Sequence, residues 1–283
     1  VTKAHRRIAR VGHSPDPDDA FMFYGIACGA VATDPYEIEQ VLEDIESLNR
    51  RAVEGELEVS AVSIHAYAHL TELYALMACG ASMGDGYGPC VVARSRMTKE
   101  DLSRATVAVP GTMTSAFLAL RLFLDGEFPF KVVPFDRILE TVASREADAG
   151  LIIHEGQLTY SRHDLVLVAD LGVWWSERTG GLPLPLGGNV VRKDLGAEGM
   201  HRLTAILRES IDYGLNHRKE ALDYAMDFGR GLDRALTDRF VGMYVNDLTR
   251  DYGARGRRAI ERFLDEGRAA GLVPAGTPVE FVG

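Results

Sequence analysis

The sequence predicts an α/β protein of two lobes facing each other across a cleft, and three observations point there. From Ile8 to about Gly188, short apolar runs alternate with helix-like segments, the pattern of βα units. Two stretches look like crossings between lobes: Ala93-Arg94-Ser95-Arg96, preceded by the glycine-rich Gly80–Gly88, and Leu182-Pro183-Leu184-Pro185-Leu186-Gly187-Gly188, where prolines stiffen the chain and glycines allow a bend. After Val191 the pattern becomes helical. If both crossings are hinges, residues 96–186 form a smaller inserted lobe, and residues 1–95 with 187–283 form a larger discontinuous one.

The expected strands are Ile8–Val11, Glu37–Leu42, Leu57–Val62, Tyr74–Cys79, Cys90–Ala93, Thr106–Val109, Lys131–Phe135, Ala149–Ile153 and Leu165–Val168, each a short apolar or β-branched run. They are expected to build mostly parallel sheets. Beyond them, Leu203, Ile206, Leu207 and Ile211 recur at helical spacing within Ala197–Leu215. Further amphipathic helices are expected through Tyr224, Phe240–Leu248 and Ile260–Leu264, all bracing the first lobe.

Composition narrows the function classes. The 283 residues carry 31 Lys and Arg against 41 Asp and Glu, a formal net charge of −10, which argues against a nucleic-acid partner. The short basic cluster His5-Arg6-Arg7 does not reverse that. An anionic ligand needs a positive site built locally. Cys28, Cys79 and Cys90 have no CxxC spacing and cannot all pair, which fits a reducing compartment. No apolar run approaches bilayer-spanning length, and no apolar core of signal-peptide length precedes His13-Ser14-Pro15. The expectation is a cytoplasmic protein with no membrane partner.

Four constellations could carry chemistry. Gly150-Leu151-Ile152-Ile153-His154-Glu155-Gly156 reads as a buried parallel strand closed by a histidine. Ligands of open α/β sheets sit beyond the carboxyl ends of the strands, so His154 is expected to face the crevice, where an imidazole can exchange protons near neutral pH. A core histidine hydrogen-bonded at a strand end is the structural alternative. In Ser14-Pro15-Asp16-Pro17-Asp18-Asp19-Ala20-Phe21, the prolines exclude helix and Asp18 or Asp19 can cap the helix that follows. One aspartate suffices for a cap, so Ser14, Asp16 and Asp18 are also candidate ligand contacts.

Val109-Pro110-Gly111-Thr112-Met113-Thr114-Ser115-Ala116 ends a strand, turns at Gly111 and opens a helix whose free N–H groups and dipole suit a carboxylate. The spacing is not that of a P-loop and no lysine follows, which disfavours nucleoside triphosphates. In Ser60-Ala61-Val62-Ser63-Ile64-His65-Ala66-Tyr67-Ala68-His69, the two histidines share a helical face, but Ala66 stands where a zinc protease has glutamate and no third ligand is apparent. No metal is expected there, and Ser63 is the better cleft candidate. Trp174-Trp175 fits a hydrophobic wall or core packing equally.

Taken together, Ser14-Pro15-x-Pro17-x-Asp19-x-Phe21-x-Phe23-Tyr24, Val41-Leu42-Glu43-Asp44-Ile45-Glu46-x-Leu48-Asn49-Arg50, Ala108-Val109-Pro110-Gly111 and Gly150-Leu151-Ile152-Ile153-His154-Glu155 resemble the 1,4-dihydroxy-6-naphthoate synthases of the futalosine route to menaquinone. The likeness continues through Leu182–Gly187 and Ala221-Leu222-Asp223-Tyr224 and covers nearly the whole chain. It implies the type II fold of periplasmic binding proteins and a cofactor-free lyase. The implied substrate is cyclic dehypoxanthinyl futalosine, a small carboxylate, and the products are 1,4-dihydroxy-6-naphthoate and dihydroxyacetone. By the same resemblance His154 is the proton acceptor, and substrate contacts fall on Ala61, Val62 and Ser63 and on Ser115 and Ala116, with the carboxylate near Thr114. The chain departs from the family pattern at Asp16, Asp18 and Ala20, where cysteine, asparagine and threonine are usual, and at Ala61 in place of a lysine. A non-catalytic solute-binding protein and a chorismate dehydratase share this architecture and stand as alternatives.

Overall fold

The computed structural model describes residues 6–276 and 278–283; His5 of the N-terminal basic cluster lies outside them. The chain opens with β1 (Arg7–His13), α1 (Pro17–Ala27), β2 (Tyr36–Leu42), α2 (Ile45–Val53) and β3 (Val59–Ser63). These βα units place β1 between β2 and β3, with all three parallel. After them come α3 (Ile64–Tyr67), β4 (Tyr74–Met77), β5 (Ser82–Gly84) and β6 (Cys90–Ala93). The next segment supplies α4 (Lys99–Leu102), β7 (Val107–Val109), α5 (Ser115–Leu124), β8 (Phe130–Val132), α6 (Ile138–Ala143), β9 (Ala149–Ile152), β10 (Val166–Asp170) and α7 (Leu171–Thr179). The chain then returns through β11 (Leu184–Arg192) to α8 (Gly196–Asn216), α9 (Arg218–Ala225), α10 (Arg234–Tyr244), α11 (Asp247–Arg250), α12 (Gly253–Ala269) and β12 (Phe281–Val282).

Two sheets result. One runs β12-β4-β11-β3-β1-β2, with β5 paired to β11, and the other runs β10-β6-β9-β7-β8. Both are mixed rather than mostly parallel: β11 is antiparallel to β3, β4 and β5, and β6 is antiparallel to β9 and β10. Helix α1 packs on α8, α9 and α10 over the first sheet, so the C-terminal helices do brace that lobe. The architecture is the two-lobed α/β fold expected.

The run Leu182–Gly188 behaves differently from the expected hinge. It enters β11, whose Val190 and Val191 lie between β3 and β4 and are fully covered. Pro183 precedes the strand, and Pro185 fits because this half of β11 has only the three-residue β5 as a partner, so its missing N–H removes little pairing. Several strands are also shorter than expected, β8 stopping at Val132 because Pro134 starts a turn into a 3-10 helix.

Of the tryptophan pair, Trp175 is core and Trp174 is half-buried at its edge. Trp175 is fully buried on α7, its Nε1 donates to Pro183 O at 3.0 Å, and its ring meets Phe263 of α12 edge to face at 5.3 Å. Trp174 packs edge-on against Phe123. Trp175→Ala should cost about 3–5 kcal/mol in urea unfolding. Trp175→Phe should cost about half as much, since it keeps the ring contact and leaves one buried carbonyl unpaired. Equal losses would mean the hydrogen bond, not packing, dominates.

Candidate functional site

The carboxyl ends of β1 and β3 and the loops after β7 and β9 converge on one cavity of about 740 Å³, mouth included. Its walls bring together Ser14, Asp16 and Asp18 from the first motif, Ala61, Val62 and Ser63 from the end of β3, and Thr114, Ser115 and Ala116 from the start of α5. Those sequence-predicted residues, drawn from both sheets' lobes, therefore meet. Asp19, Ser82, Asn189, Phe240 and Tyr244 also line the cavity. Sequence reasoning did not assign these last four to the site. Ser82 and Asn189 sit on strands that the glycine-rich and proline-rich stretches concealed, while Phe240 and Tyr244 look like core positions of an amphipathic helix.

On the α5 side the side chains are largely committed to the fold. Thr114 Oγ1 accepts the Phe117 N–H at 3.2 Å and donates to Gly111 O, so it is the helix cap. The buried Ser115 hydroxyl donates to Leu186 O at 2.5 Å and accepts the His65 N–H at 3.1 Å. The donors left for a ligand are the first-turn N–H groups of Ser115 and Ala116, which have no intrahelical acceptor. Gly111 is required by close approach, not by a left-handed turn: a Cβ there would lie 2.3 Å from Glu46 Oε2. Ser63 is held by Asn49, whose Oδ1 accepts the Ser63 N–H at 2.8 Å while its Nδ2 donates to Ser63 Oγ at 3.1 Å. The Ser63 hydroxyl hydrogen stays available as a donor.

The α1 side is acidic. Asp16, not Asp18 or Asp19, is the N-cap residue of α1, and it makes no side-chain cap bond. Asp19 turns back to accept the Ser14 N–H at 2.7 Å, and Ser14 Oγ donates to Asp16. Asp18 meets Ser82 Oγ at 3.4 Å. Burial, reinforced by the charge of Asp16 and opposed by backbone N–H groups, pushes Asp18 up to about 7. Burial and the neighbouring Asp18 and Asp16 raise Asp19 well above the usual carboxylate range. On α10, burial likewise raises the Tyr244 phenol, whose hydroxyl donates to Gln157 Oε1 at 2.9 Å.

His154 sits one residue beyond Ile153, which lines the cavity, while its own ring is absent from the lining. The ring is 7% exposed; Nε2 pairs with Phe135 O at 2.9 Å and Nδ1 accepts the Gly156 N–H at 3.0 Å. A carbonyl only accepts, so these partners place the proton on Nε2. Glu155 Oε2 lies 3.5 Å from Nδ1. Burial opposes ionisation of Glu155, but Arg230 and a backbone N–H favour it, and the carboxyl is held below its ordinary value. Arg230 joins the two sides, bonding Asp16 at 2.7 Å and Glu155 at 3.1 Å with its guanidinium 4.6 Å from the Phe135 ring centroid.

The histidine pair is tied into the fold. His65 Nδ1 lies 3.2 Å from Thr114 O, and burial pushes its imidazole down to about 4. Its ring centroid is 6.1 Å from that of His69, and among the described residues no third His, Cys, Asp or Glu joins them.

A buried unsatisfied acceptor also marks the cavity. Asn189 Oδ1 finds no hydrogen-bond partner among the described residues, an arrangement that costs about 1–3 kcal/mol unless a ligand supplies a donor.

A two-lobed α/β fold with ligand-type groups from both lobes around one cleft defines a protein built like the periplasmic binding proteins. Its fold matches the alkanesulfonate-binding protein of Xanthomonas axonopodis pv. citri with a TM-score of 0.72 at 15% identity, covering 98% of this chain and 97% of that one. A crystal structure of a protein from Archaeoglobus fulgidus is much nearer, with a TM-score of 0.90 and 47% identity over 95% of this chain and all of that one. The chain belongs to the menaquinone biosynthesis family, whose model matches residues 9–269. Curated relatives named 1,4-dihydroxy-6-naphthoate synthase occur in Thermus thermophilus, 44% identical over 93% of this chain and 95% of that protein, and in Streptomyces coelicolor, 36% identical over 94% and 95%.

The raised Asp18 makes stability depend on pH with a definite sign. Well below pH 3.8 the carboxyl is neutral in folded and unfolded chains alike. Between its unfolded value of 3.8 and its folded value of about 7, only the unfolded chain releases the proton, so stability falls as pH rises, then levels off. Asp18→Asn lacks this loss. Its stability advantage over the native chain should grow by roughly 2–4 kcal/mol between pH 4 and 7 in urea unfolding. A difference that stays constant across that window would overturn the assignment.

Proposed function

We propose that this chain is a 1,4-dihydroxy-6-naphthoate synthase, a carbon–carbon lyase acting on cyclic dehypoxanthinyl futalosine and releasing dihydroxyacetone. The observation that carries the reading is the meeting around one cleft of residues from three of the family's motifs, Ser14–Asp19, Ile45 and Ile153, with the start of α5 that follows the Ala108–Gly111 motif. The first-turn N–H groups of α5 suit the substrate carboxylate, with the Ser63 hydroxyl beside them. Deprotonation of a hydroxyl β to a carbonyl-like centre starts a retro-aldol fragmentation, in which the hydroxyl carbon becomes the carbonyl of the departing fragment. The carbon–carbon bond breaks with its electron pair passing to the carbonyl-like centre, and formation of the aromatic ring drives the reaction. A positioned base contributes roughly 10²–10⁴-fold, and orientation in a cleft that excludes water supplies much of the rest. Three unpaired cysteines, two of them buried, support a cytoplasmic setting. Among the described residues no helix is long and apolar enough to cross a membrane.

His154 is the base in this reading. Its Nδ1 lone pair is the basic site, and reaching substrate means exchanging the Gly156 N–H for the substrate proton, a rotation of the ring toward the Ile153 side. A second reading gives proton transfer to Asp18, because Asp18 lines the cavity, as the His154 ring does not, and burial pushes its carboxyl up to about 7.

Incubating the purified protein with cyclic dehypoxanthinyl futalosine and following 1,4-dihydroxy-6-naphthoate by liquid chromatography and mass spectrometry tests the lyase assignment. Product should form with the native chain, and none from folded protein would reject it. His154→Ala should lower kcat by about 10²-fold or more while changing KM little. If His154→Ala keeps its kcat and Asp18→Asn loses it, the proton transfer belongs to Asp18.

A further inference from the structure

Strand β11 delivers one polar side chain into the cleft, and that side chain has spare capacity. Asn189 is 1% exposed, and its Nδ2 donates to Gly80 O at 2.9 Å. Since a carbonyl cannot donate, this bond sets the amide with nitrogen toward Gly80, leaving Oδ1 as the free acceptor. Gly80 is part of the arrangement: its φ is +78°, and a Cβ there would lie 2.5 Å from Asn189 Nδ2. Two residues along, Ser82 holds Asp18. The short Gly80–Ser82 segment thus ties Asn189 and Asp18 into one wall, with Asp19 beside them, and all three line the cavity.

The cavity is therefore polarised. The α5 and β3 side offers donors, the first-turn N–H groups and the Ser63 hydroxyl. The β11 side offers an acceptor, Asn189 Oδ1, whose own amide donor is committed to Gly80 O. A carboxylate against Asn189 Oδ1 would set acceptor against acceptor, so the group meeting Asn189 must bring a hydrogen.

We propose that Asn189 is a positioning residue whose Oδ1 accepts a hydrogen bond from a hydroxyl of the substrate's polyol fragment. The substrate then lies with its carboxylate toward α5 and its hydroxylated, departing end toward β11 and α1. This assignment rests on the lyase reading. It adds the orientation of the substrate and a residue outside the four motifs that carry the family likeness.

The test compares the substrate with an analogue lacking one hydroxyl on that fragment, in the native chain and in Asn189→Leu. The native chain should prefer the full substrate by about 10²-fold or more in kcat/KM, because the analogue leaves a buried acceptor unpaired. Asn189→Leu should lose most of that preference through a drop of about 10–100-fold on the full substrate alone. A merely structural role would depress both compounds equally and preserve the ratio, overturning the proposal. Asn189→Ala, where water can reach Gly80 O, provides the same comparison if the leucine variant does not fold. Dihydroxyacetone binding by ligand-observed NMR gives a readout without turnover: the native chain should bind it and the variants should not. Asn189-dependent dihydroxyacetone binding without naphthoate formation would leave the subsite standing and reject the lyase reading. Naphthoate formation with an unchanged substrate-to-analogue ratio in the variants would do the reverse.

Discussion

The start of α5 is pinned to the first sheet's lobe by a buried hydroxyl, that of Ser115. Ser115 Oγ donates to Leu186 O on β11 and accepts the His65 N–H at the start of α3, so the first turn of α5 is fixed against two elements of the first sheet's lobe. His65 returns the contact through Thr114 O. Because these groups are buried, each needs its partner, and displacement of α5 would strand several of them at once. The geometry of the cavity follows from that constraint: the free N–H groups of α5 face the ends of β1 and β3 at a fixed separation.

The opposite wall is organised by charge. Asp16 and Glu155 share Arg230, whereas among the described residues no cation lies at hydrogen-bonding distance from Asp18 or Asp19, whose ionisation is opposed by burial and by neighbouring carboxylates. The chain keeps carboxyls where an asparagine would be the simpler choice at position 18. A neutral carboxyl offers one donor and one acceptor, as an amide does, but only below its own titration.

Much of this arrangement was legible in the residues, and the limits of legibility are physical. β6 and β9 read clearly because they are short apolar runs ended by polar or glycine-containing turns, and α8 because its apolar residues repeat every three to four positions. The ends of β1, β3 and β7 could be placed at the cleft from βα order alone, and with them Ser14, Ser63 and the start of α5. β11 was hidden: the prolines at its start read as a break, and only the short partner β5 makes Pro185 acceptable. Asn189 was concealed with it, since one asparagine among valines gives no sign that its oxygen lies unpaired. The hydrogen bonds that hold His154 come from Phe135 and Gly156, and no spacing rule connects residue 135 to 154.

Those same prolines have a bearing on solution behaviour. Leu182–Leu186 is an apolar run that, with ordinary residues, would present an unbroken ladder of N–H and C=O groups while the chain is still folding. Pro183 and Pro185 remove the N–H groups along one edge of the run, so that edge is a poor template for a second strand from another molecule, and the Leu186 and Pro183 carbonyls are claimed by Ser115 and Trp175. The feature that disguised the strand is also a guard against intermolecular β-pairing during synthesis.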